Sequence, residues 1–182
     1  QVGRTGALTP VAVVAPVHVS GVTIESVTLH NKDEIARLGV KVGDRVLIER
    51  AGDVIPKIVA VTQAGPGEPW RLPERCPVCG TPVQPVEGEV ALRCPNSRCP
   101  GVLARRIEHF VSRLAMGIEG LGEKLIAQLV DGGHVRELAD LYRLDETTLL
   151  DLERMGETSA RKLLARIEAS RTRPLPRLLY AL

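Results

Sequence analysis

The sequence predicts a multi-domain α+β chain in three pieces: a small β-barrel, a four-cysteine metal knuckle and a closing all-helical region. Three observations predict it. Apolar residues run in short β-rich stretches up to residue 63, four cysteines fall within residues 76–99, and beyond residue 100 the apolar period becomes helical. The expected divisions are 1–63, 64–100 and 101–182.

Residues 10–29 carry Val11, Val13, Val14, Val17, Val19, Val22, Ile24, Val27 and Leu29, punctuated by Pro16 and Gly21, and read as strands. Residues 43–63 add two β-rich runs joined at Ala51-Gly52-Asp53. Between these blocks, Asn31 through Leu38 reads as a short capped helix that Gly39 ends. Several short strands and one small helix in about sixty residues suit a small closed barrel of the OB type. Residues 64–75 hold Gly65, Pro66, Gly67, Pro69 and Pro73 and read as a turn-rich linker. Past Gly101, Ile107, Phe110, Val111 and Leu114 recur at helical spacing. So do Leu125, Ile126, Leu129 and Val130, and then Leu163, Leu164 and Ile167. Pro174 and Pro176 are expected to interrupt the helical end.

Hydrophobic content of 44% and charged content of 25% are those of an ordinary globular chain, which excludes disordered and fibrous classes. No apolar run approaches the ~20 residues a bilayer span needs. No secretory signal stands at Gln1-Val2-Gly3-Arg4, and a start other than Met suggests the middle of a longer protein. Net charge is only +2, so bulk charge does not announce a polyanion binder. Locally, Arg161, Lys162, Arg166, Arg171, Arg173 and Arg177 face the single acid Glu168. That stretch either lies along phosphates or forms a solvated helix face. With one Trp, two Tyr and one Phe, stacking of single-stranded bases on aromatic rings is disfavoured.

The cysteines read Cys76-Pro-Val-Cys79 and Cys94-Pro-Asn-Ser-Arg-Cys99. Two close pairs joined by a loop can set four thiolates tetrahedrally around Zn²⁺, with Gly80 and Gly101 permitting the tight turns. The alternative, a disulfide or redox pair, lacks any secretory feature to support it. Four protein ligands leave no position for water or substrate, so the expected role of the metal is structural, and its binding energy would be folding energy.

Ile118-Glu-Gly-Leu-Gly-Glu-Lys-Leu is a glycine–apolar–glycine turn leading into a helix, and Leu152-Glu-Arg-Met-Gly-Glu-Thr repeats its shape thirty-four residues later. Glycines let a backbone approach phosphate, and the first free amides of the next helix point at it. Gly120, Leu121, Gly122 and Lys124 are therefore candidate anion-binding residues, as are Arg154 and Gly156. The second copy resembles a helix-hairpin-helix motif but has Arg154 where its first glycine usually stands, so Arg154 either grips phosphate or serves in packing. His18, His30, His109 and His134 show no partner spacing and receive no role. Nothing resembles a Walker loop, a dinucleotide fingerprint or a serine or cysteine nucleophile site.

Taken together, Gly3-Arg-Thr-Gly-Ala-Leu-Thr-Pro-Val-Ala, Thr28-Leu-His-Asn-Lys-Asp-Glu-Ile, Ala51-Gly-Asp-Val-Ile-Pro, the cysteines and the two hairpins resemble NAD-dependent bacterial DNA ligase over essentially the whole chain. The resemblance implies the DNA-binding part of an enzyme that seals single-strand nicks by adenylyl transfer from NAD, assisted by Mg²⁺ or Mn²⁺, in replication and repair. The family's nucleophile lies in Lys-x-Asp-Gly, and no lysine here is followed by x-Asp-Gly. A fragment lacking the adenylation domain, inactive alone, is implied. Arg4 and Thr5 would contact DNA near the nick, and the hairpin amides a phosphate. Arg50 and Asp53 either face the active site or pair with each other. Nicked duplex DNA is the implied partner, of a monomer in the cytoplasm at the bacterial nucleoid. The competing reading is a stand-alone, non-enzymatic DNA-binding repair adaptor built from the same modules.

Overall fold

The computed structural model of the chain describes residues 1–19, 21–50, 55–86, 88 and 90–182. Its backbone contacts divide it into two units, Gln1–Val2 with Gly6–Pro95, and Gly3–Thr5 with Asn96–Leu182.

In the first unit, β1 (Val11–Val19) pairs antiparallel with β2 (Val22–Thr28). The register shifts between Val13 and Val17. Pro16 lies in that interval and has no N–H to give a ladder, which is the physical reason for a break there. A second antiparallel hairpin joins β3 (Arg45–Glu49) to β4 (Lys57–Gln63). The expected joint of these runs, Ala51-Gly52-Asp53, lies outside the described residues.

Helix α1 (Lys32–Leu38) forms because its ends are locally satisfied. The Asn31 side chain accepts from the N–H groups of Asp33 and Glu34 at 3.1 and 3.0 Å. Gly39 closes it at φ 61°, the left-handed conformation that glycine takes without penalty. Ile35 then reaches a core of Ile24, Val27, Leu29, Val40 and Ile58, against which Ala12, Val14 and Val46 pack. The barrel expected from the pattern is realised as two hairpins and a helix on one core. Among the described residues the ladders form separate two-stranded sheets, not a continuous closed one.

Asp44 ties the linker to this core. Its carboxylate accepts the Gly65 N–H at 2.7 Å and the Lys41 N–H at 2.8 Å, and these two amides, in that order, hold its pKa below the ordinary aspartate value. A depressed folded-state pKa means the contribution is present above the unfolded value of about 4 and is lost as pH falls through the folded one. Asp44→Asn is therefore expected to lower the urea midpoint of the chain at pH 6. The gap to the unmodified chain should narrow at pH 3, and an equal gap at both pH values would disprove this account.

The segment after the linker adds β5 (Gln84–Pro85) and β6 (Leu92–Arg93), a minimal antiparallel pair. Residues 6–8 run alongside it. Cys94 N–H donates to Gly6 O at 2.9 Å, Leu8 N–H donates to Leu92 O at 2.8 Å, and Ala7 bridges Arg93. No local sequence signal announced this pairing across more than eighty residues.

The second unit is helical. Helix α2 (Pro100–Val111) has Pro100 in its first turn, where the missing N–H is harmless. It is followed by α3 (Glu123–Asp131), a 3₁₀ segment Leu138–Arg143, α4 (Glu146–Leu150), α5 (Glu157–Ser170) and α6 (Leu175–Ala181). Ile107, Ile118, Ile126, Leu129, Leu141 and Leu149 form the almost wholly inaccessible centre of its core. The one buried polar side chain here, Ser170, is satisfied: its hydroxyl donates to Ile167 O at 2.6 Å, leaving its oxygen to accept from the Tyr142 hydroxyl at 2.8 Å.

Two expectations are corrected in this unit. Leu114 continues the helical spacing but is 74% exposed, because α2 ends at Val111 and Ser112 turns to ψ 158°. Pro174 and Pro176 do not interrupt a helix; they stand at the start of α6, where a fixed φ suits the first turn.

Candidate metal centre and hairpin amides

Two turns bring the cysteines together. In the first, Gly80 N–H donates to Cys76 O at 2.9 Å and Cys76 N–H to Thr81 O at 2.8 Å, with Gly80 in the left-handed region at φ 71°. Thr81 Oγ1 lies 3.3 Å from Cys79 Sγ. In the second, Cys99 N–H donates to Asn96 O at 3.0 Å, and the Asn96 side chain accepts Arg98 N–H at 3.0 Å. Cys99 is also the N-cap of α2, so its sulfur sits at the end of the helix whose dipole favours a thiolate.

The four sulfurs lie within 4.8 Å of one another, and Cys76, Cys94 and Cys99 are buried. The Cys79 and Cys94 sulfurs are 3.5 Å apart, well beyond the ~2.05 Å of a disulfide. A tetrahedron with Zn–S bonds of about 2.3 Å has edges of about 3.8 Å, so spacing, donor type and burial all fit zinc.

The two hairpins carry open amides. Gly120 is left-handed at φ 102°, Leu121 is buried, and Gly122 is the extended N-cap of α3 with no side-chain cap. The backbone N–H groups of residues 120–124 donate to no acceptor among the described residues. The second hairpin is built alike, except that its Met155 N–H donates to Leu152 O at 3.3 Å. Arg154 takes φ 61° in the place of Gly120, and Gly156 is the uncapped N-cap of α5. The Arg154 backbone thus does what glycine does in the first copy, against the steric preference of a side-chain-bearing residue. Gln128 of α3 steadies this second turn, its side-chain carbonyl accepting Glu153 N–H at 2.7 Å. Lys124 and Arg154 are exposed and form no ion pair among the described residues.

Elsewhere the sequence-derived residues scatter. Arg4 and Thr5 stand in an exposed turn and line a recess of about 340 Å³ with Arg106, His109 and Tyr180. Arg50 is half-buried, whereas Asp53, and with it any Arg50–Asp53 pair, lies outside the described residues.

The arginine-rich stretch is exposed apart from half-buried Arg177, and most of its guanidinium groups have partners within the protein. Arg161 pairs with Glu146 and Glu157, and Arg171 pairs with Glu168 and lies over the Tyr142 ring at 4.7 Å. Arg166, Arg173 and Arg177 donate to backbone carbonyls of Glu119, Met116 and Ala115 at 3.1, 3.2 and 2.6 Å. Their partners are carbonyls 47–62 residues away, for which a sequence offers no sign.

Comparison with known families matches three modules in order along the chain. Residues 1–67 match the NAD-dependent DNA ligase OB-fold domain, 75–100 the NAD-dependent DNA ligase C4 zinc finger domain, and 112–169 the SAM-like helix-hairpin-helix tandem. The whole chain is 53% identical to a DNA ligase of Saccharophagus degradans over 186 residues. It is 54% identical to a DNA ligase of Acidithiobacillus ferrooxidans over 186 residues and 53% identical to one of Rubrobacter xylanophilus over 184. The chain spans 27–28% of the length of these relatives. It belongs to the NAD-dependent DNA ligase family, as the segment that carries the OB-fold, zinc-finger and helix-hairpin-helix domains.

Proposed function

We propose that this chain is the DNA-holding part of a ligase that seals single-strand nicks in duplex DNA during replication and repair. The observation that carries the proposal is the pair of hairpins whose amides are open among the described residues, those of 120–124 in the first and those of Arg154, Gly156, Glu157 and Thr158 in its copy. Amides at a helix start, with nothing in the protein to satisfy them, suit a phosphate oxygen. Lys124 and Arg154 add positive charge beside them, and Gly120, Leu121, Gly122 and Gly156 supply the close backbone approach. Arg4 and Thr5 belong to the same DNA-facing set. Such contacts position a duplex without reading its sequence.

Cys76, Cys79, Cys94 and Cys99 are the proposed zinc ligands. The ion would supply fixed geometry for a segment whose strands, among the described residues, are two residues long, and the thiolates complete its coordination. The working division is a barrel at 1–63, linker and finger at 64–100 and hairpins at 101–182. The adenylyl chemistry, with NAD and Mg²⁺ or Mn²⁺, belongs to other parts of the parent enzyme, because no lysine here stands in Lys-x-Asp-Gly. This segment alone is inactive. Arg50 and Asp53 are the residues of the barrel that would face the active site in one step of the cycle. No helix of the described residues is long and apolar enough to cross a membrane. The proposed setting is a monomer at the nucleoid.

The test is a salt-titrated binding assay of the chain on nicked duplex, intact duplex and single strand. Duplex should be preferred, with affinity falling steeply with salt as phosphates release counterions. Gly120→Val forces a β-branched residue into φ 102°, and Gly122→Val fits the fold, with nothing within 4 Å, but shields the amides. Each is expected to weaken duplex binding by about tenfold, the scale of one lost charge-assisted hydrogen bond. Tighter single-strand binding, indifferent to both changes, would overturn the reading.

A further inference from the structure

The first hairpin is fastened from behind by three arginines of the last two helices and the turn between them. Arg166 of α5 donates to Glu119 O at 3.1 Å, and its second nitrogen lies 3.8 Å from the Glu119 carboxylate. Arg173 donates to Met116 O at 3.2 Å, and Arg177 to Ala115 O at 2.6 Å and also to Arg113 O. None of these four carbonyls accepts a backbone N–H from a turn or loop, so the guanidinium groups are their partners among the described residues. The turn is shaped to admit them. A Cβ on Gly117 would lie 3.3 Å from both Arg173 and Arg177, and one on Gly120 would lie 3.3 Å from Arg166.

Peptide geometry gives this contact a consequence. The Glu119 carbonyl and the Gly120 N–H belong to one planar trans peptide and point in opposite directions. By drawing Glu119 O toward α5, Arg166 turns the Gly120 N–H away from α5, on the side where residues 120–124 leave their amides open. It also removes an unpaired carbonyl dipole that would repel an approaching anion.

We infer that Arg166 is a positioning residue for the phosphate-binding hairpin, seconded by Arg173 and Arg177, and does not itself contact phosphate. The inference rests on the DNA-holding reading above. A positive residue near a DNA-facing turn would ordinarily be taken for a phosphate contact, and the two roles differ in their salt dependence. A lost phosphate contact lowers the slope of log K against log salt by about 0.9, whereas a lost positioning bond lowers affinity and leaves the slope alone.

The experiment compares the 182-residue chain with its Arg166→Met, Arg166→Lys and Arg161→Met variants on a fluorescent nicked duplex across a salt series. Hydrogen exchange of the Ile118 and Leu125 amides, which flank the open ones and donate to Val111 O and Gly122 O, is followed in the free proteins. Arg161, whose partners among the described residues are the acids Glu146 and Glu157, controls for loss of one charge from the same helix. Arg166→Met is expected to raise Kd about tenfold with an unchanged slope and faster exchange confined to the hairpin. Arg166→Lys, which keeps a donor and a charge, should recover most of the affinity, and Arg161→Met should change Kd by less than about threefold. A slope reduced by about 0.9 with unchanged exchange would make Arg166 a direct contact and overturn the inference. An unchanged Kd would overturn it as well. Should the unmodified chain fail to bind duplex, the DNA-holding reading falls. The exchange data then still decide whether Arg166 orients the turn.

Discussion

Removing zinc is expected to unfold residues 75–95 while the helical core of Asn96–Leu182 stays folded. The reason lies in what else holds each part. The finger segment has two two-residue strands and a handful of turn hydrogen bonds, and its buried apolar complement is largely the cysteines themselves. So short a segment cannot offset the entropy of ordering its backbone, which costs about 1–2 kcal/mol per residue. Structural zinc supplies an apparent ~10–16 kcal/mol in comparable small domains, which offsets a substantial part of that cost. The helical unit, by contrast, encloses Ile107, Ile118, Ile126, Leu129, Leu141 and Leu149. Metal analysis should find one zinc per chain, lost in strong chelator or in Cys94→Ser. Amide protection at Cys76, Gly80 and Val83 should disappear with it, while protection at Ile126 and Ala160 persists. Retained protection in a verified zinc-free protein would show that the metal has no structural role. Acidification should release zinc in the same order of events, because the ligands must be thiolates.

What the sequence made legible was local or compositional. The Asn31–Gly39 helix could be read because both of its caps lie within one residue of its ends. The cysteine set could be read because metal spacing is a short-range pattern, and the hairpins because glycine punctuates them. Periodicity failed at Leu114, where helical spacing continues past the last helical residue, since hydrophobic pattern says nothing about where a backbone stops. The two late prolines were ambiguous by nature: the same fixed φ that breaks a helix interior suits a helix start. Arg166, Arg173 and Arg177 were visible as a basic stretch, but what they hold was not, for a different reason. Their partners are main-chain carbonyls, which every residue possesses, so no residue type marks the other end of the bond. The second hairpin was legible as a copy of the first, but the role of Arg154 was not, because its backbone reproduces the left-handed conformation of Gly120 without the side-chain identity that would announce it.

Gly6→Ala is expected to destabilise the finger segment by more than a methyl added at a turn glycine with open space around it. Gly6 stands at φ 82°, and a Cβ there would lie 2.5 Å from the Cys94 carbonyl oxygen, a backbone atom that cannot rotate away. The left-handed conformation alone costs an alanine about 1–2 kcal/mol. The clash adds to it, because relief requires moving the backbone that pairs Cys94 with Gly6 and Leu92 with Leu8. A total of ~2–4 kcal/mol is expected, the range in which strained backbone and disrupted packing place single substitutions. Moving Cys94 also moves one of the four sulfurs, so zinc affinity measured by chelator competition should fall at least about tenfold, the equivalent of 1.4 kcal/mol. Gly39→Ala separates the two contributions. Gly39 has φ 61°, but an added methyl would meet nothing within 4 Å, so it bears the conformational cost without the clash, and it caps α1, away from the cysteines. It should lose about 1 kcal/mol and keep its zinc affinity. If Gly6→Ala proves no more costly than Gly39→Ala, and holds zinc as tightly, the close approach of residue 6 to Cys94 contributes nothing to the metal centre.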